Sequence, residues 1–396
     1  MTRSCTQAFS ASQTFNFFPV PTDVHFGPGA VESLPDRVRP FETDHVFLVT
    51  DPGLREAGVL ARIEAILDAA DIRSSVMDRV RPDSGSGLVD ETAELLKESG
   101  AGAVVGIGGG SSLDTAKAAA AMAVHPGRAL DYTGLHNLEH RPLPVIAVPT
   151  TSGTGSEVTL WSVFTDESRD VKVAIGSFLN YPAVAVCDPE LTTSLPPHLT
   201  AATGMDALGH AVECYTSKAC QPLSASLALG AIELIGRHLR TAVARGSDPG
   251  ARYGMQLAST MAGIAMNSTR LGLAHALAMP LGSWDLRVPH GIGIAVTLPR
   301  VMAFNHGAAP ARFAAVAGAL GEDVDGLPAE EAAVRSVEAV ESLSRDIGIP
   351  AGLRSLGVSE EHVARVVAEA MKSGNVLVNP REATASDLQQ VLRSSL

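Results

Sequence analysis

The character of this 396-residue chain changes near residue 196, and this change constrains the fold more than any single motif. Between about residues 45 and 190, short β-branched runs alternate with longer Ala- and Glu-containing segments, a pattern typical of βαβ units around a parallel sheet. After Pro196 and Pro197, Ala- and Leu-rich helical periodicity continues almost to the C-terminus. We therefore predict an α/β parallel-sheet domain over 1–195 and an all-helical domain over 196–396.

The pattern also places individual elements. Strands are expected at 46–50, 74–80, 103–108, 143–151 and 183–188. Helices are expected at 54–70, 89–100, 113–124, 202–217, 225–244 and 255–266.

Composition argues against several classes of partner. The formal net charge is −13 and aromatic residues make up 4% of the chain, which disfavours nucleic acid and anionic membrane surfaces. The four cysteines form no CxxC pair, so a reducing compartment, the cytoplasm, is expected. No run of eighteen apolar residues occurs, and no apolar stretch follows the first basic residue, so neither a membrane span nor a signal peptide is expected.

A glycine-rich turn follows the predicted strand 103–108. It consists of Gly108, Gly109, Gly110, Ser111 and Ser112 and leads into a helix. Glycines let the backbone approach an anion, and the free N–H groups of the helix N-terminus attract it, so a pyrophosphate fits here. The alternative is a tight strand-to-helix turn without a ligand.

Two further features favour a dinucleotide. Strand 143–151 ends in a hydroxyl-rich loop that contains Thr150, Thr151 and Thr154, which suit a ribose or a nicotinamide amide, although such a loop can also cap its own backbone. Asp51 ends strand 46–50, where its carboxylate can accept from ribose hydroxyls and repel a 2′-phosphate. The alternative for Asp51 is an N-cap of the next helix.

Metal-ligand spacing appears in the second half. Asp206 and His210 are four residues apart on a predicted helix, hence on one face and roughly 6 Å apart. His275 lies on another helix and His290 stands between a proline and a glycine. One carboxylate and three imidazoles suit Zn(II) or Fe(II) better than Mg²⁺, and a fifth coordination position would be open to a substrate oxygen. Each histidine alone could equally be a hydrogen-bonded core residue.

Six collinear motifs together resemble the iron-containing, group III alcohol dehydrogenases. They are GGGSSLDTAK (108–117), PTTSGTGSEVT (149–159), DPELTTSLPP (188–197), GMDALGHAVE (204–213), GLAHALAMPLG (272–282) and PHG (289–291). The likeness runs from about residue 22 to 392. It implies a Rossmann-like domain followed by a helical metal-binding domain, as in dehydroquinate synthase-like proteins, and commonly a homodimer.

The resemblance also implies roles for individual residues. It makes Asp206, His210, His275 and His290 metal ligands and catalytic residues. It gives Gly108 to Ser112 to the pyrophosphate, with Asp114 nearby. It places Thr150, Thr151 and Thr154 on the nicotinamide side, makes Lys172 and Leu191 further cofactor contacts, and makes Asp51 the residue that favours NAD over NADP.

The chain departs from the family pattern between the metal histidines. Many members carry a second histidine one turn after the first, and this position is Met279 here, so a proton relay through that side chain is not expected. The segment before His290 is one residue longer than in the lactaldehyde reductase type. Arg287 lies in this segment, where its guanidinium could pair with an anionic substrate group. The alternative is an exposed loop arginine paired with Asp285.

These observations predict an NAD(H)-dependent, iron- or zinc-containing dehydrogenase that interconverts a small primary alcohol and its aldehyde. The functional interpretation of Arg287 adds an anionic group to that substrate. A maleylacetate reductase-like or dehydroquinate synthase-like enzyme is one alternative. The Ser-Ser-Leu-Asp sequence after the glycines fits alcohol dehydrogenases better than the maleylacetate reductases. An alternative of another class is a non-catalytic nucleotide-binding or filament-forming module.

Overall fold

The computed structural model describes residues 14–283 and 286–396. Its contacts divide the described chain into two compact units, one of residues 20–195 and one of residues 196–396 together with 14–19. The short segment 14–19 thus groups with the helical unit, although the sequence pattern assigns it to the sheet domain. The backbone N–H of Phe18 donates to Oγ of Ser268 (3.0 Å) in that unit.

The unit of residues 20–195 is built on a six-stranded sheet in which every neighbouring pair of strands is parallel, in the order β1-β9-β6-β4-β2-β3. These strands are β1 (Asp23–Phe26), β2 (His45–Val49), β3 (Arg73–Met77), β4 (Ala103–Gly108), β6 (Val145–Pro149) and β9 (Val184–Cys187). Strand β4 is buried along its whole length, as expected of a parallel strand covered on both faces. The predicted parallel sheet is therefore confirmed.

A second, smaller sheet was not predicted from the sequence. It has the order β5-β8-β7, with β5 (Gly134–Leu135), β7 (Trp161–Asp166) and β8 (Val171–Gly176). Strands β7 and β8 form an antiparallel pair across a short turn. The sequence of this hairpin does not show a clear alternation of apolar and polar residues. Strand β8 is only half-buried over Val171–Ala174, so its burial does not impose such a pattern.

Five helices accompany the sheets in this unit: α1 (Leu34–Val38), α2 (Pro52–Glu56), α3 (Val59–Asp68), α4 (Ser86–Ser99) and α5 (Gly110–Met122). The helix predicted over 54–70 is wrong as a single element. It is divided at Gly58, whose φ of 77° lies in the left-handed region, where a helix cannot continue. Helix α5 packs so closely on β4 that a Cβ on Gly106 would lie only 2.8 Å from Cβ of Ala116.

The unit that contains residues 196–396 has ten helices and no strand among its described residues, as predicted. They are α6 (Pro197–Thr216), α7 (Pro222–Ala244), α8 (Pro249–Thr269), α9 (Leu273–Leu281), α10 (His290–Asn305), α11 (Pro310–Ala319), α12 (Ala329–Asp346), α13 (Glu360–Ala370), α14 (Asn375–Val378) and α15 (Ala385–Ser394). Four of the longer helices begin at a proline, whose fixed φ suits the first helical position. Over 14–283 and 286–396, no helix is both long and apolar enough to cross a membrane.

A buried lysine fixes the loop that follows the hydroxyl-rich segment. Lys117 on α5 is completely buried, and its Nζ donates to the carbonyl oxygens of Ser156 (3.1 Å), Thr159 (3.0 Å) and Trp161. Its Nζ also lies 3.8 Å from Oδ1 of Asp114. Burial lowers the pKa of Lys117 to about 8, but the three carbonyl oxygens and the carboxylate stabilise its charged form.

We expect Lys117→Met to lower the free energy of unfolding by on the order of 3 kcal/mol, because the partly buried Asp114 carboxylate and three carbonyl oxygens would lose their cation. Urea unfolding followed by circular dichroism measures this change. Lys97→Met is the control, since Lys97 pairs with Glu94 at the surface and its loss should cost less than about 0.5 kcal/mol. Equal losses in both variants would contradict this account of Lys117.

Candidate metal centre and nucleotide-binding turn

Helix α6 supplies the first two candidate ligands. Asp206 and His210 are four residues apart and both are buried, with 3% and 5% of their surface exposed. Nε2 of His210 lies 3.8 Å from Oδ1 of Asp206. The i, i+4 spacing thus places both side chains together inside the helical unit.

Two other helices bring imidazoles to the same carboxylate oxygen. His275 is the third residue of α9 and His290 is the first residue of α10. Their Nε2 atoms lie 3.4 Å and 3.6 Å from Oδ1 of Asp206. Among the described residues, donor atoms of Asp206, His275 and His290 all lie within 4.8 Å of one another. The structure therefore brings the four predicted ligands together.

Glycines allow the three helices to approach this closely. A Cβ on Gly209 of α6 would lie 2.6 Å from Cγ2 of Ile294 and 3.4 Å from Cε1 of His275. A Cβ on Gly291 of α10 would lie 2.3 Å from the carbonyl oxygen of Ala202. The glycine after His290 in the PHG motif is thus needed for α10 to pack against α6.

The site holds buried polar atoms that the protein does not satisfy. Oδ1 of Asp206 and Nε2 of His275 are buried without a hydrogen-bond partner, although they face each other. Such atoms are costly to bury, and a divalent cation would satisfy both. One carboxylate oxygen and three imidazole nitrogens also form a donor set that suits Fe(II) or Zn(II). The residues present therefore fit a transition-metal ion.

The electrostatics of the site are strongly perturbed. Burial alone would raise the pKa of Asp206, but the adjacent imidazoles outweigh burial and hold it below its ordinary value. Burial lowers the pKa of His210 to about 4. Burial would also lower the pKa of His275, but the Glu213 and Asp206 carboxylates together outweigh burial and raise that pKa to about 9. Perturbation of this size is typical of functional sites.

In the sheet unit, the glycine-rich turn joins β4 to α5 as predicted. Gly108 has a φ of 144°, which lies outside the range that other residues readily adopt, and Gly110 begins α5. The N–H of Thr150 donates to the carbonyl oxygen of Gly108 (3.0 Å). A Cβ on Gly110 would lie 2.7 Å from Cγ2 of Thr154. The glycine turn and the hydroxyl-rich loop therefore lie side by side at the carboxyl ends of β4 and β6.

Asp51 is the N-cap of α2, and its Oδ1 accepts from the N–H of Leu54 (3.1 Å). Its Oδ2 lies beside the glycine turn, 3.4 Å from where a Cβ on Gly108 would be. One carboxylate oxygen thus serves the helix cap and the other faces the turn, so the two interpretations of Asp51 are compatible.

Three residues assigned by resemblance make mainly protein contacts. Asp114 accepts from Oγ of Ser156 (2.5 Å) and the N–H of Val163 (3.1 Å). Lys172 forms an ion pair with Asp83. Leu191 is 4% exposed and belongs to the apolar core of the sheet unit. Ser111 and Ser112 lie in the first turn of α5, where Oγ of Ser111 accepts from the N–H of Asp83 (3.2 Å).

Residues 21–189 match a family model described as iron-containing alcohol dehydrogenase, and residues 200–396 match the C-terminal model of the Fe-containing alcohol dehydrogenase family. The chain belongs to the iron-containing alcohol dehydrogenase family. It is 41% identical to choline dehydrogenase of Bacillus subtilis (strain 168) over 93% of this chain and 92% of that protein.

Solved structures of this family agree with the fold. A 1,3-propanediol oxidoreductase superposes with a TM-score of 0.94 at 39% identity, over 97% of this chain and 100% of that chain. A sulfoacetaldehyde reductase from Bifidobacterium kashiwanohense, solved in complex with NAD+, superposes with a TM-score of 0.87 at 32% identity, over 97% of this chain and 99% of that chain.

Two positions between His275 and His290 that the sequence singles out are now placed. Met279 lies one turn after His275 on α9 and is half-buried. Arg287 is exposed, lies between the buried Leu286 and Val288, and has a left-handed φ of 46°. The pairing of Arg287 with Asp285 lies outside the described residues.

Sequence reasoning missed Glu213, which contacts His275 directly through a carboxylate oxygen 2.5 Å from Nδ1. A signal for it was available, because Asp206, His210 and Glu213 follow the i, i+4, i+7 spacing of one helix face.

Proposed function

We propose that this chain is an NAD(H)-dependent oxidoreductase that interconverts a small primary alcohol and its aldehyde with the help of Fe(II) or Zn(II). The observation that carries the proposal is the convergence of three imidazoles on one buried, unpartnered carboxylate oxygen of Asp206. Membership of the alcohol dehydrogenase family and the NAD+ complex of a relative support it.

In this proposal Asp206, His210, His275 and His290 would hold the ion. When bound, a divalent ion supplies a Lewis acid that stabilises the negative charge developing on the substrate oxygen during hydride transfer with the nicotinamide. The burial of three of the four side chains keeps water from competing for these donors. His290 is the most accessible, with a third of its side chain exposed, so substrate would enter on its side.

The glycine turn and Thr150, Thr151 and Thr154 would bind the cofactor. The first backbone N–H groups of α5 have no partner within the helix, so they suit a pyrophosphate. Asp114 and Lys117 hold the hydroxyl-rich loop through Ser156. Their role would therefore be to fix this loop rather than to contact the cofactor. Met279 carries no exchangeable proton, so the proton would leave through water or through a hydroxyl of the cofactor ribose.

Two rival functions are less well supported. A dehydroquinate synthase-like lyase needs several cationic side chains for its polar carbocycle, whereas segment 272–282 contains no Lys or Arg. A non-catalytic nucleotide-binding or filament-forming module would not need imidazoles from three helices assembled around one carboxylate oxygen.

The setting of the enzyme is also part of the proposal. Cys187, Cys214 and Cys220 are buried free thiols, in keeping with a reducing compartment such as the cytoplasm. A homodimer follows from the family resemblance alone.

The metal ligands are tested by His275→Ala and His290→Ala. We expect both variants to lose bound metal and NADH-dependent aldehyde reduction together, because removal of one donor opens the site and weakens its affinity. Metal analysis after anaerobic purification and absorbance at 340 nm measure the two losses. His198→Ala is the control, since His198 is exposed at the start of α6. Full turnover by rigorously metal-free wild type would refute the proposed role of the metal.

Cofactor choice is tested at Asp51. We expect wild type to prefer NADH to NADPH, because the carboxylate would lie against the 2′-phosphate and the two negative charges repel. Asp51→Gly should reduce this preference, as measured by the ratio of kcat/KM for the two cofactors. Asp51→Asn is the matched variant, since it keeps an oxygen for the α2 cap but removes the charge. Equal efficiency with both cofactors in wild type would show that Asp51 does not select the cofactor.

The substrate class is tested at Arg287. Sulfoacetaldehyde carries an anion and choline carries a cation, so the two relatives point to opposite charges. An exposed guanidinium three residues before His290 favours the anion. We expect Arg287→Ala to raise KM for an anionic aldehyde about ten- to a hundredfold, in line with the roughly 1.5–3 kcal/mol of a charged hydrogen bond.

A neutral aldehyde of similar length should be reduced equally well by wild type and Arg287→Ala. Arg354→Ala, which removes another exposed arginine, provides the control for net charge. Parallel losses on the anionic and neutral aldehydes would exclude a role for Arg287 in recognition.

A further inference from the structure

Glu213 is a buried carboxylate next to the proposed metal centre. It lies on α6, two turns after Asp206, and 5% of its surface is exposed. A buried carboxylate is costly unless strong hydrogen bonds or cations compensate it, so its partners indicate why it is there.

Among the described residues, the three hydrogen-bond donors to the Glu213 carboxylate are N–H groups of α9 and of the residue before it. Oε2 accepts from the backbone N–H of Gly272 (2.8 Å) and from Nδ1 of His275 (2.5 Å), and Oε1 accepts from the backbone N–H of Ala274 (2.6 Å). Gly272 is the N-cap of α9 and has no side chain to cap the helix. Glu213 therefore supplies the cap from another helix, where the helix dipole also favours a negative charge.

The contact with His275 determines the tautomer of its ring. A carboxylate accepts hydrogen bonds and donates none, so Nδ1 of His275 must carry the proton. In the neutral ring, the form that can bind a metal ion, the lone pair is then on Nε2, which lies 3.4 Å from Oδ1 of Asp206. Only this tautomer can offer Nε2 to a metal ion.

We propose that Glu213 is a positioning residue that holds His275 as the Nδ1–H tautomer and fixes the start of α9, so that Nε2 of His275 is presented to the metal. This inference rests on the proposed function, because it assumes that the site takes a divalent metal. It adds a requirement that the four ligands alone do not contain.

The chemistry of the contacts explains why a glutamine would not substitute. Both oxygens of Glu213 face N–H donors, so either orientation of a carboxamide would point its NH2 group at a donor. If the NH2 group faced His275, the imidazole would have to carry its proton on Nε2 and would no longer present a lone pair to the ion.

The local backbone is shaped to admit this carboxylate. A Cβ on Gly272 would lie 2.8 Å from Oε1 of Glu213 and 3.0 Å from its carboxyl carbon. Gly272→Ala would therefore displace the carboxylate without changing any ligand or any charge.

The test is the affinity of the full-length, metal-stripped protein for Zn²⁺, measured by competition with a chromophoric chelator. We expect Glu213→Gln to bind Zn²⁺ about ten- to a hundredfold more weakly than wild type. Asp248→Asn is the matched control, because Asp248 caps α8 through the N–H of Ala251 and, among the described residues, its side chain forms no hydrogen bond or ion pair with a histidine. Its Zn²⁺ affinity should be within about twofold of wild type, which tests whether loss of a negative charge at a helix N-terminus alone weakens binding.

The visible absorption of the Co²⁺-loaded protein provides a readout that a merely structural role would not change. We expect the ligand-field bands of Glu213→Gln to shift, since His275 would leave the coordination sphere, while Asp248→Asn retains the wild-type bands. If Glu213→Gln does not fold, Gly272→Ala is measured in the same way and should weaken Zn²⁺ binding in the same direction.

The possible failures are distinguishable. Wild type that binds no stoichiometric Zn²⁺ or Co²⁺ would overturn the proposed metal-dependent function, and this inference with it. Wild-type Zn²⁺ affinity and Co²⁺ bands in a folded Glu213→Gln variant would overturn the role of Glu213 alone.

Discussion

A single buried carboxylate oxygen, Oδ1 of Asp206, is the atom around which the helical unit is organised. It lies 3.4–3.8 Å from Nε2 atoms of three histidines that belong to three helices. A buried anion facing buried imidazoles is unfavourable unless a cation or protons compensate it. Helices α6, α9 and α10 must therefore hold these side chains together although side-chain packing alone would not favour it. Gly209 and Gly291 allow the close contacts between the helices that hold them.

The sheet unit meets a similar difficulty in a different way. Its glycine turn has no side chains at residues 108–110 with which to fix the backbone, yet the proposed cofactor site needs a fixed backbone. Lys117 and Asp114 fix the hydroxyl-rich loop beside this turn. The buried ammonium of Lys117 donates to three carbonyl oxygens, and the Asp114 carboxylate accepts from Ser156 and Val163. Charged groups that do not contact a ligand can thus stabilise the hydroxyl-rich loop, which is proposed to bind one.

The features predicted correctly from the sequence depend on local spacing. The strands of the parallel sheet, the helices of the second half, the i, i+4 pair on α6 and the glycine turn after β4 each follow from the pattern of neighbouring residues. The missed features depend on contacts between distant segments. Glu213 meets its partner His275, 62 residues away, only when α9 packs against α6. Lys117 likewise meets its partners only when residues 156–161 pack against α5. The break at Gly58 was missed because a lone glycine in a helical pattern is often tolerated.

The metal centre and the cofactor turn explain how a primary alcohol could be oxidised, but they do not distinguish one alcohol from another. Relatives of comparable identity act on compounds named as choline, 1,3-propanediol and sulfoacetaldehyde, which carry positive, neutral and negative groups. The groups that act on the reacting carbon and oxygen do not contact a charge two bonds away. Discrimination between these substrates must therefore come from side chains other than the four proposed ligands. Segment 272–282 contains no Lys, Arg, Asp or Glu, whereas Arg287 is an exposed residue in the segment directly before α10. A guanidinium held there would attract a sulfonate or carboxylate and repel a quaternary ammonium, so the charge of the substrate would be selected by a position that the chemistry itself does not constrain.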